Sequence, residues 1–310
     1  SFYLLFTALL GVTAWALGSM LARRFLTPIR ELSVAVEAIE RREFQHRLPL
    51  FTPDELGRLA LTFNRVMEGL SDLEVARIVQ ENLFPKDELR IGEYCLFGRS
   101  FPATELGGDY LDLRLLPEDR VLIVIGDVSG HGVPAALVMA LAKGAADVQC
   151  EKNAAPNEIL GAMNRALVGS VRRKRFMTCF LAVLDTRRHE LCFSNAGHCD
   201  PILIGVNGTV EHIVNRNHVL GIKSQTVFST STLEVNPGDR IVLYTDGLVE
   251  TRASTGQIGF SAAQDVLPKL FDDDLPTSCR RMYQWAADQN IAPCQEDDIT
   301  IVLFARVLPA

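Results

Sequence analysis

The chain opens without any alternation of apolar and polar positions. Residues 2–22, FYLLFTALLGVTAWALGSMLA, are 21 residues without a charge. At a rise of about 1.5 Å per residue they span roughly 31 Å, the thickness of a bilayer's hydrocarbon core. Arg23 and Arg24 come directly after the run. A secretory signal would put its basic residues first and use a shorter apolar run. Residues 1–23 therefore read as a transmembrane helix, and the excess of positive charge behind it places the rest of the chain in the cytoplasm. A helix entering from the far side of the membrane has to come from somewhere, which predicts an upstream helix and an external sensor ahead of Ser1.

Past the arginines the period becomes helical. In TPIRELSVAVEAIERREF, Ile29, Leu32, Val36 and Ile39 recur at spacings of 3, 4 and 3, and in DELGRLALTFNRVMEGLSDL the series Leu56, Leu59, Phe63, Val66, Leu70, Leu73 keeps the same rhythm. These are seams of the kind that two helices bury against each other. A polar connector, QHRLPLFTP, separates them with two prolines, Pro49 and Pro53. Two short helices with such narrow stripes cannot cover them unaided, so a parallel homodimer forming a four-helix bundle is expected. Beyond Leu73 the rhythm is lost in EVARIVQENLFP. That marks residues 74–86 as a linker helix whose packing can change.

From Tyr94 onward the period shifts towards two. YCLFGRSF, DYLDLRLL, RVLIVIGD, FMTCFLAVLD, ELCFSNA, PILIG, VFSTSTLEV, DRIVLYTD and DITIVLFARV all have strand character, with only four helical stretches among them, at 133–148, 156–172, 261–271 and 276–290. Many consecutive strands with few crossovers predict an α+β domain in which antiparallel sheets pack as a sandwich with helices outside. The 310 residues suffice for this domain and a relay, and a net charge of −7 argues against a nucleic-acid-binding surface. Seven cysteines, Cys95, Cys150, Cys179, Cys192, Cys199, Cys279 and Cys294, are scattered without a CxxC pair. They read as reduced thiols rather than a zinc or disulfide framework.

Candidate chemistry comes from aspartates at strand ends: Asp109 in ELGGDYLDL, Asp127 in VIGDVSGHG, Asp246 in VLYTDGLVE, and Asp297 with Asp298 in QEDDITIVLF. One such residue is an ordinary turn former, but strand ends of one sandwich can converge on one edge. Converging carboxylates repel, and hard divalent cations with oxygen shells relieve that repulsion. No GxxxxGK[ST], HExxH or GxSxG motif competes with this set. The glycine loop IGDVSGHG runs from a strand into a helix, as phosphate-cradling loops do, yet an acid leads it and it carries no lysine.

Two resemblances rest on these motifs. Pro28 soon after the membrane run, the connector, and Asp54-Glu55-Leu56-Gly57 opening the second helix make residues 24–73 similar to a HAMP domain, the signal relay of membrane receptors. GGDYLDL, GDVSGHGVPAAL, NAGHCDPIL, LGI, GDRIVLYTDGLVET and EDDITIVLF occur in the order they take in the metal-dependent (PPM, protein phosphatase 2C-like) phosphatases. Residues 87–310 resemble specifically the bacterial branch of sporulation protein E and the sigma-factor regulator U.

The resemblance implies two ions, Mn²⁺ or Mg²⁺, bridged by Asp127, with the Val128 carbonyl as a further ligand. Asp246 and Asp297 would complete one shell, Asp298 being interchangeable with Asp297, and Asp109 would orient water. It implies direct attack of metal-activated water on phosphoserine or phosphothreonine, and a phosphorylated STAS-type anti-sigma-factor antagonist as substrate. In that bacterial setting the enzyme sits on the cell inner membrane with its phosphatase domain in the cytoplasm. His131 lies four residues beyond Asp127 where eukaryotic relatives place a histidine two residues on, so it reads as a loop-shaping residue more readily than as an acid. Asn195, Gly197 and His198 read as shaping a strand end near the site. A degenerate, partner-binding phosphatase fold and a phosphohydrolase of small molecules are the alternative readings.

Overall fold

A computed structural model describes residues 2–49, 54–171, 174–254, 256–292 and 294–308. The chain divides into two units, Ser1–Ile78 and Val79–Ala310.

In the first unit, α1 (Phe2–Leu21) passes through a five-residue π turn, Ala22–Leu26, into α2 (Thr27–Glu40). The apolar run of α1 is long enough to cross a membrane and none of it is buried. The helix α3 (Glu55–Glu81) comes after the connector, of which residues 50–53 lie outside the described residues. Asp54 caps α3, its Oδ1 accepting the N–H groups of Leu56 and Gly57 at 3.1 and 3.2 Å. Asn64 of α3 ties down the connector by exchanging two hydrogen bonds with the backbone of Leu48, at 2.8 and 2.9 Å.

The residues buried within one chain are not the expected seam. Ala35, Leu48 and Ala60 form the small core, with Leu32 and Phe63 against it, while Ile29 and Val36 stay 56% and 52% exposed. Small side chains let two helices of one chain approach closely, and of the larger seam residues Leu32 and Phe63 pack on this core while Ile29 and Val36 are left on the outside. The loss of heptad phase after Leu73 does not break the helix, which continues to Glu81.

The second unit is a sandwich of two antiparallel sheets between two helical layers. Its first strands are β1 (Leu89–Ile91), β2 (Tyr94–Phe101), β3 (Tyr110–Leu116) and β4 (Arg120–Val128); β5 (Met177–Asp185), β6 (Glu190–Ala196), β7 (Ile202–Ile204) and β8 (Val210–His212) come next; β9 (Ser231–Glu234), β10 (Arg240–Tyr244), the small hairpin β11 (Arg252–Ala253) and β12 (Gly256–Gln257), and β13 (Ile299–Arg306) complete the set. One sheet runs β1-β2-β13-β10-β7-β8 and the other β3-β4-β5-β6-β9. The helices are α4 (Val133–Cys150) and α5 (Pro156–Val171) on one side, and α6 (Asp246–Glu250), α7 (Gly259–Leu270) and α8 (Leu275–Gln289) on the other.

Each layer contact has its own core. Leu111, Ile123, Ile125 and Phe180 of one sheet meet Tyr94, Leu243, Val302 and Phe304 of the other. Leu122, Val124 and Leu181 face outward onto Met139, Ala142, Ile159 and Met163 of α4 and α5. Val242, Tyr244 and Leu303 pack on Leu267, Cys279 and Met282 of α7 and α8. Both faces of β4 are thus covered, which is why its sequence VLIVI is a continuous apolar run rather than an alternating one. The short elements β1, β8, α6 and the β11–β12 hairpin have too few residues to give a periodic signal.

Four of the seven cysteines are buried and none is joined in a disulfide. An ion pair is also buried: Lys143 of α4 reaches Asp112 of β3 at 2.7 Å, with Arg114 3.7 Å from the same carboxylate. A buried charge stripped of its partner costs far more than the pair contributes. Lys143→Met should therefore destabilise the fold by about 2 kcal/mol or more, while Lys143→Met combined with Asp112→Leu should recover most of that loss. Urea denaturation of the three proteins measures both; equal losses would show that the pair is not what holds this contact.

Candidate metal centre

Strand pairing brings the acidic motifs to one end of the sandwich. Tyr110 pairs with Gly126, so Asp109 and Asp127 lie on neighbouring strands of one sheet. In the other sheet, Thr245 comes directly after β10 and Thr300 lies in β13, with the Thr245 N–H donating to the Thr300 carbonyl at 3.0 Å and the Thr300 N–H returning a bond to Thr245 Oγ1 at 2.8 Å. Asp246 and Asp298 stand just beyond those threonines at the same end.

Asp109 links the two sheets. Its Oδ2 accepts the hydroxyls of Thr300 at 2.5 Å and Thr245 at 3.1 Å. Its Oδ1 is buried and has no protein partner among the described residues. Burial, then the charges of Asp127 and Asp298, push its pKa well above the usual carboxylate range. Asp127 is pushed up to about 8, by desolvation first and then by repulsion from Asp246, Asp297 and Asp298. Asp246 is raised by desolvation and then by Glu250; Asp297 is raised by desolvation and, more weakly, by Asp246 and Asp298.

The two adjacent aspartates face different ways. Asp298 is buried and both its oxygens are engaged, Oδ1 by the Ala103 N–H at 2.7 Å and Oδ2 by the Gly108 N–H at 2.6 Å. Asp297 is exposed, and its Oδ1 accepts the Asp298 N–H at 2.8 Å. The glycine pair before Asp109 is a consequence of this crowding. A Cβ on Gly107 would stand 2.9 Å from Asp298 Oδ2, and one on Gly108 would stand 3.0 Å from the Val128 carbonyl oxygen. Gly247, after Asp246, has no room for a side chain against the Asp298 carbonyl.

In the glycine loop, Gly130 and Gly132 have φ of +82° and +77°, a left-handed backbone that favours glycine. Gly132 caps α4, and His131 beside it is exposed, its charge lowering the pKa of Asp297. The NAGH segment closes on itself: Asn195 accepts the His198 N–H at 2.7 Å and donates to the His198 carbonyl at 3.0 Å. His198 Nδ1 lies 2.8 Å from Thr178 Oγ1, and Thr178 pairs across the ladder with Asp127. This is the strand-end role expected of it.

Sequence reasoning missed Thr245, Thr300 and Thr178, which read as ordinary strand formers, and Gln80. Gln80 is buried at the end of α3, donating from Nε2 to the Gly107 carbonyl at 2.8 Å and accepting the Gly107 N–H at 3.2 Å. Only the loss of heptad phase around it gave any signal.

An all-oxygen donor set with excess negative charge and an orphaned buried oxygen suits hard divalent cations. The side chains stand apart, however: among the described residues no three Asp, Glu, His or Cys groups converge tightly enough to grip one ion directly. Ions held here would keep water in their shells, as Mg²⁺ habitually does.

Residues 117–307 match the SpoIIE family, described as stage II sporulation protein E, and residues 20–72 match the HAMP domain. The chain belongs to the SpoIIE family. Among curated proteins it is 30% identical over 246 residues to phosphoserine phosphatase RsbU of Bacillus subtilis, covering 76% of this chain and 70% of that one. Phosphoserine phosphatase RsbP of the same organism is 26% identical over 191 residues, covering 59% of this chain and 46% of that one. Of solved structures, the RsbU and RsbW domains of a Mycobacterium tuberculosis protein align with a TM-score of 0.61 at 26% identity, covering 70% of this chain and 61% of that one. The SiaA-PP2C domain of Pseudomonas aeruginosa aligns with a TM-score of 0.67 at 24% identity, covering 77% of this chain and 98% of that one, and shares the fold.

Burial pushes His198 in this SpoIIE-type domain down to about 4. The unfolded chain, whose histidine keeps its ordinary value of about 6.5, binds the proton more readily between those limits. Its contribution to stability is therefore complete above about pH 6.5 and falls by about 3 kcal/mol as the pH drops to about 4. The raised carboxylates act in the opposite sense, so the difference between wild type and His198→Gln isolates the histidine. Denaturation from pH 7 to pH 4 should show a steeper loss for wild type; parallel curves would refute the assignment.

Proposed function

We propose that the chain is a membrane-anchored, metal-dependent protein serine/threonine phosphatase acting on a cytoplasmic phosphoprotein under control of its HAMP relay. The observation that carries this reading is that the strand ends bearing Asp109, Asp127, Asp246 and Asp297 lie at one end of the sandwich. The family and its named phosphoserine phosphatases support phosphoserine as the group attacked. A phosphorylated STAS-type protein is the substrate we assign, on the resemblance to the sigma-factor regulators. The apolar α1 with its two trailing arginines supports an inner-membrane anchor.

Asp127, the Val128 carbonyl, Asp246 and Asp297 would hold the two ions. Bound there, Mn²⁺ or Mg²⁺ would supply neutralisation of phosphoryl oxygens and a water that is a nucleophile near neutral pH. Asp109, fixed through Oδ2 by Thr245 and Thr300, turns its free Oδ1 to orient a water. Asp298 spends both oxygens on backbone N–H groups and belongs to the scaffold. With a phosphoserine STAS-domain protein as substrate and Mn²⁺ present, Asp127→Asn should cut turnover by at least 100-fold and Asp297→Asn should raise the half-saturating Mn²⁺ concentration. Asp298→Asn should instead lower the melting temperature. Turnover that survives chelation, or that is indifferent to Asp127→Asn, would rule the reading out.

The exposed Ile29 and Val36 support a homodimer through the relay. The Gln80–Gly107 bonds support control through segment 74–86, because Gly107 leads directly into Asp109. Whichever direction the relay works, a two-residue insertion after Leu73 should change both activity and Mn²⁺ affinity by more than about threefold. An unchanged enzyme would disprove the coupling.

A further inference from the structure

The loop that carries Asp127 is bordered by apolar side chains that nothing in the fold covers. Val133 and Leu137, one turn apart at the start of α4, are 42% and 66% exposed; Phe176 and Ile222, on the loop's other side, are 40% and 41% exposed. Phe176 is tied to the loop by two backbone bonds, its N–H donating to Ser129 Oγ at 3.1 Å and its carbonyl accepting the Ser129 N–H at 2.9 Å. Ile222 is brought alongside by Gly221, where a Cβ would stand 3.1 Å from the Arg175 carbonyl oxygen and 3.5 Å from Phe176 Cα. Single exposed apolar residues need no explanation, but a group bordering a functional loop marks an interaction surface.

Arg175 stands in the middle of this lip. Its Nη1 donates to the Ser129 carbonyl, and a Cβ on Gly130 would come within 2.6 Å of the same nitrogen. It is half-buried and forms no ion pair with a carboxylate among the described residues. Its remaining donors are therefore available two residues from Asp127, at the edge of an otherwise acidic centre.

We propose that this lip is the docking surface for the phosphoprotein substrate, Val133, Leu137, Phe176 and Ile222 seating an apolar patch beside the phosphoserine and Arg175 pairing with its phosphate. The proposal rests on the phosphatase reading above and adds where the substrate sits. Charge complementarity selects the occupant. A phosphoserine carries close to two negative charges near neutral pH, and an arginine fork offers it paired, charge-assisted hydrogen bonds. The acidic centre by itself repels such a group, so a cation at its entrance guides the phosphate in.

Two substrates separate docking from chemistry in the full-length protein: a serine-phosphorylated STAS-domain protein and p-nitrophenyl phosphate, which has a phosphate but no apolar neighbour. Leu137→Ser and Phe176→Ser should each raise the KM for the phosphoprotein about tenfold and leave p-nitrophenyl phosphate turnover unchanged. Arg175→Gln should raise the KM for both, with the half-saturating Mn²⁺ concentration unmoved, and Arg175→Lys should restore part of the loss. Equal effects of Leu137→Ser on both substrates, a change in oligomeric mass, or a shift in Mn²⁺ affinity with Arg175→Gln would overturn the proposal, pointing to an interface between copies or a loop brace. Should wild type hydrolyse neither substrate, the phosphatase reading falls. Calorimetric binding of the phosphoprotein then decides docking: binding weakened by the lip variants upholds it, and binding unaffected by them refutes it.

Discussion

Repulsion among carboxylates collected at one end of the sandwich is the constraint to which the surrounding structure answers. Each acid is handled differently. Asp298 is held by two backbone N–H groups and Asp109 by two hydroxyls on one oxygen, while burial first, and then the charge of neighbouring carboxylates, raises the pKa values of Asp109, Asp127, Asp246 and Asp297. The backbone capture of Asp298 needs close approach, and this is where Gly107, Gly108 and Gly247 are required, a Cβ on Gly107 or Gly247 running into Asp298 and one on Gly108 into the Val128 carbonyl. Glycines that look like flexibility in the sequence are here a consequence of crowding.

The sandwich suits this task because two sheets end at the same place. Asp109 and Asp127 come from adjacent strands of one sheet, whereas Thr245 and Thr300 come from adjacent strands of the other. The hydroxyl bonds to Asp109 therefore cross between layers, and they hold the two halves of the site in register. Behind them, β4 is covered on both faces, so the strand leading to Asp127 is anchored by two cores at once. A site built on rigid strand ends tolerates repulsion that loops alone could not contain.

Much of this was legible beforehand, for identifiable reasons. Long strands such as β2, β5 and β13 announced themselves by period and composition, and the aspartates by recurring at strand ends. The four helical stretches also lay close to where they were expected. The one-turn helix α6 was not legible, because five residues carry no helical period and DGLVE simply continued a strand motif. The choice between Asp297 and Asp298 was invisible too, since adjacent residues differ only in which way the chain turns, and the Ala103 and Gly108 N–H groups that capture Asp298 are about 190 residues away. Of the relay's expected seam, Leu32 and Phe63 pack on a core of Ala35, Leu48 and Ala60 while Ile29 and Val36 stay exposed, because the small alanines set how closely α2 and α3 approach.

The loop IGDVSGHG shows why a motif's residues have to be assigned to separate physical tasks. A phosphate cradle uses glycines to expose N–H groups to an anion. Here Gly130 and Gly132 turn the chain into α4, the Ser129 N–H is spent on the Phe176 carbonyl and the Gly132 N–H on the Leu106 carbonyl at 3.2 Å. Two of the loop's own donors are thus consumed by the fold. An anion approaching this edge meets carboxylates and the Arg175 guanidinium instead, so on the reading proposed above attraction would come from cations held by Asp127 and from the arginine on the rim. On that reading the acid at the head of the loop and the absence of a lysine within it are two aspects of one arrangement, in which positive charge would be recruited to the site rather than built into the loop.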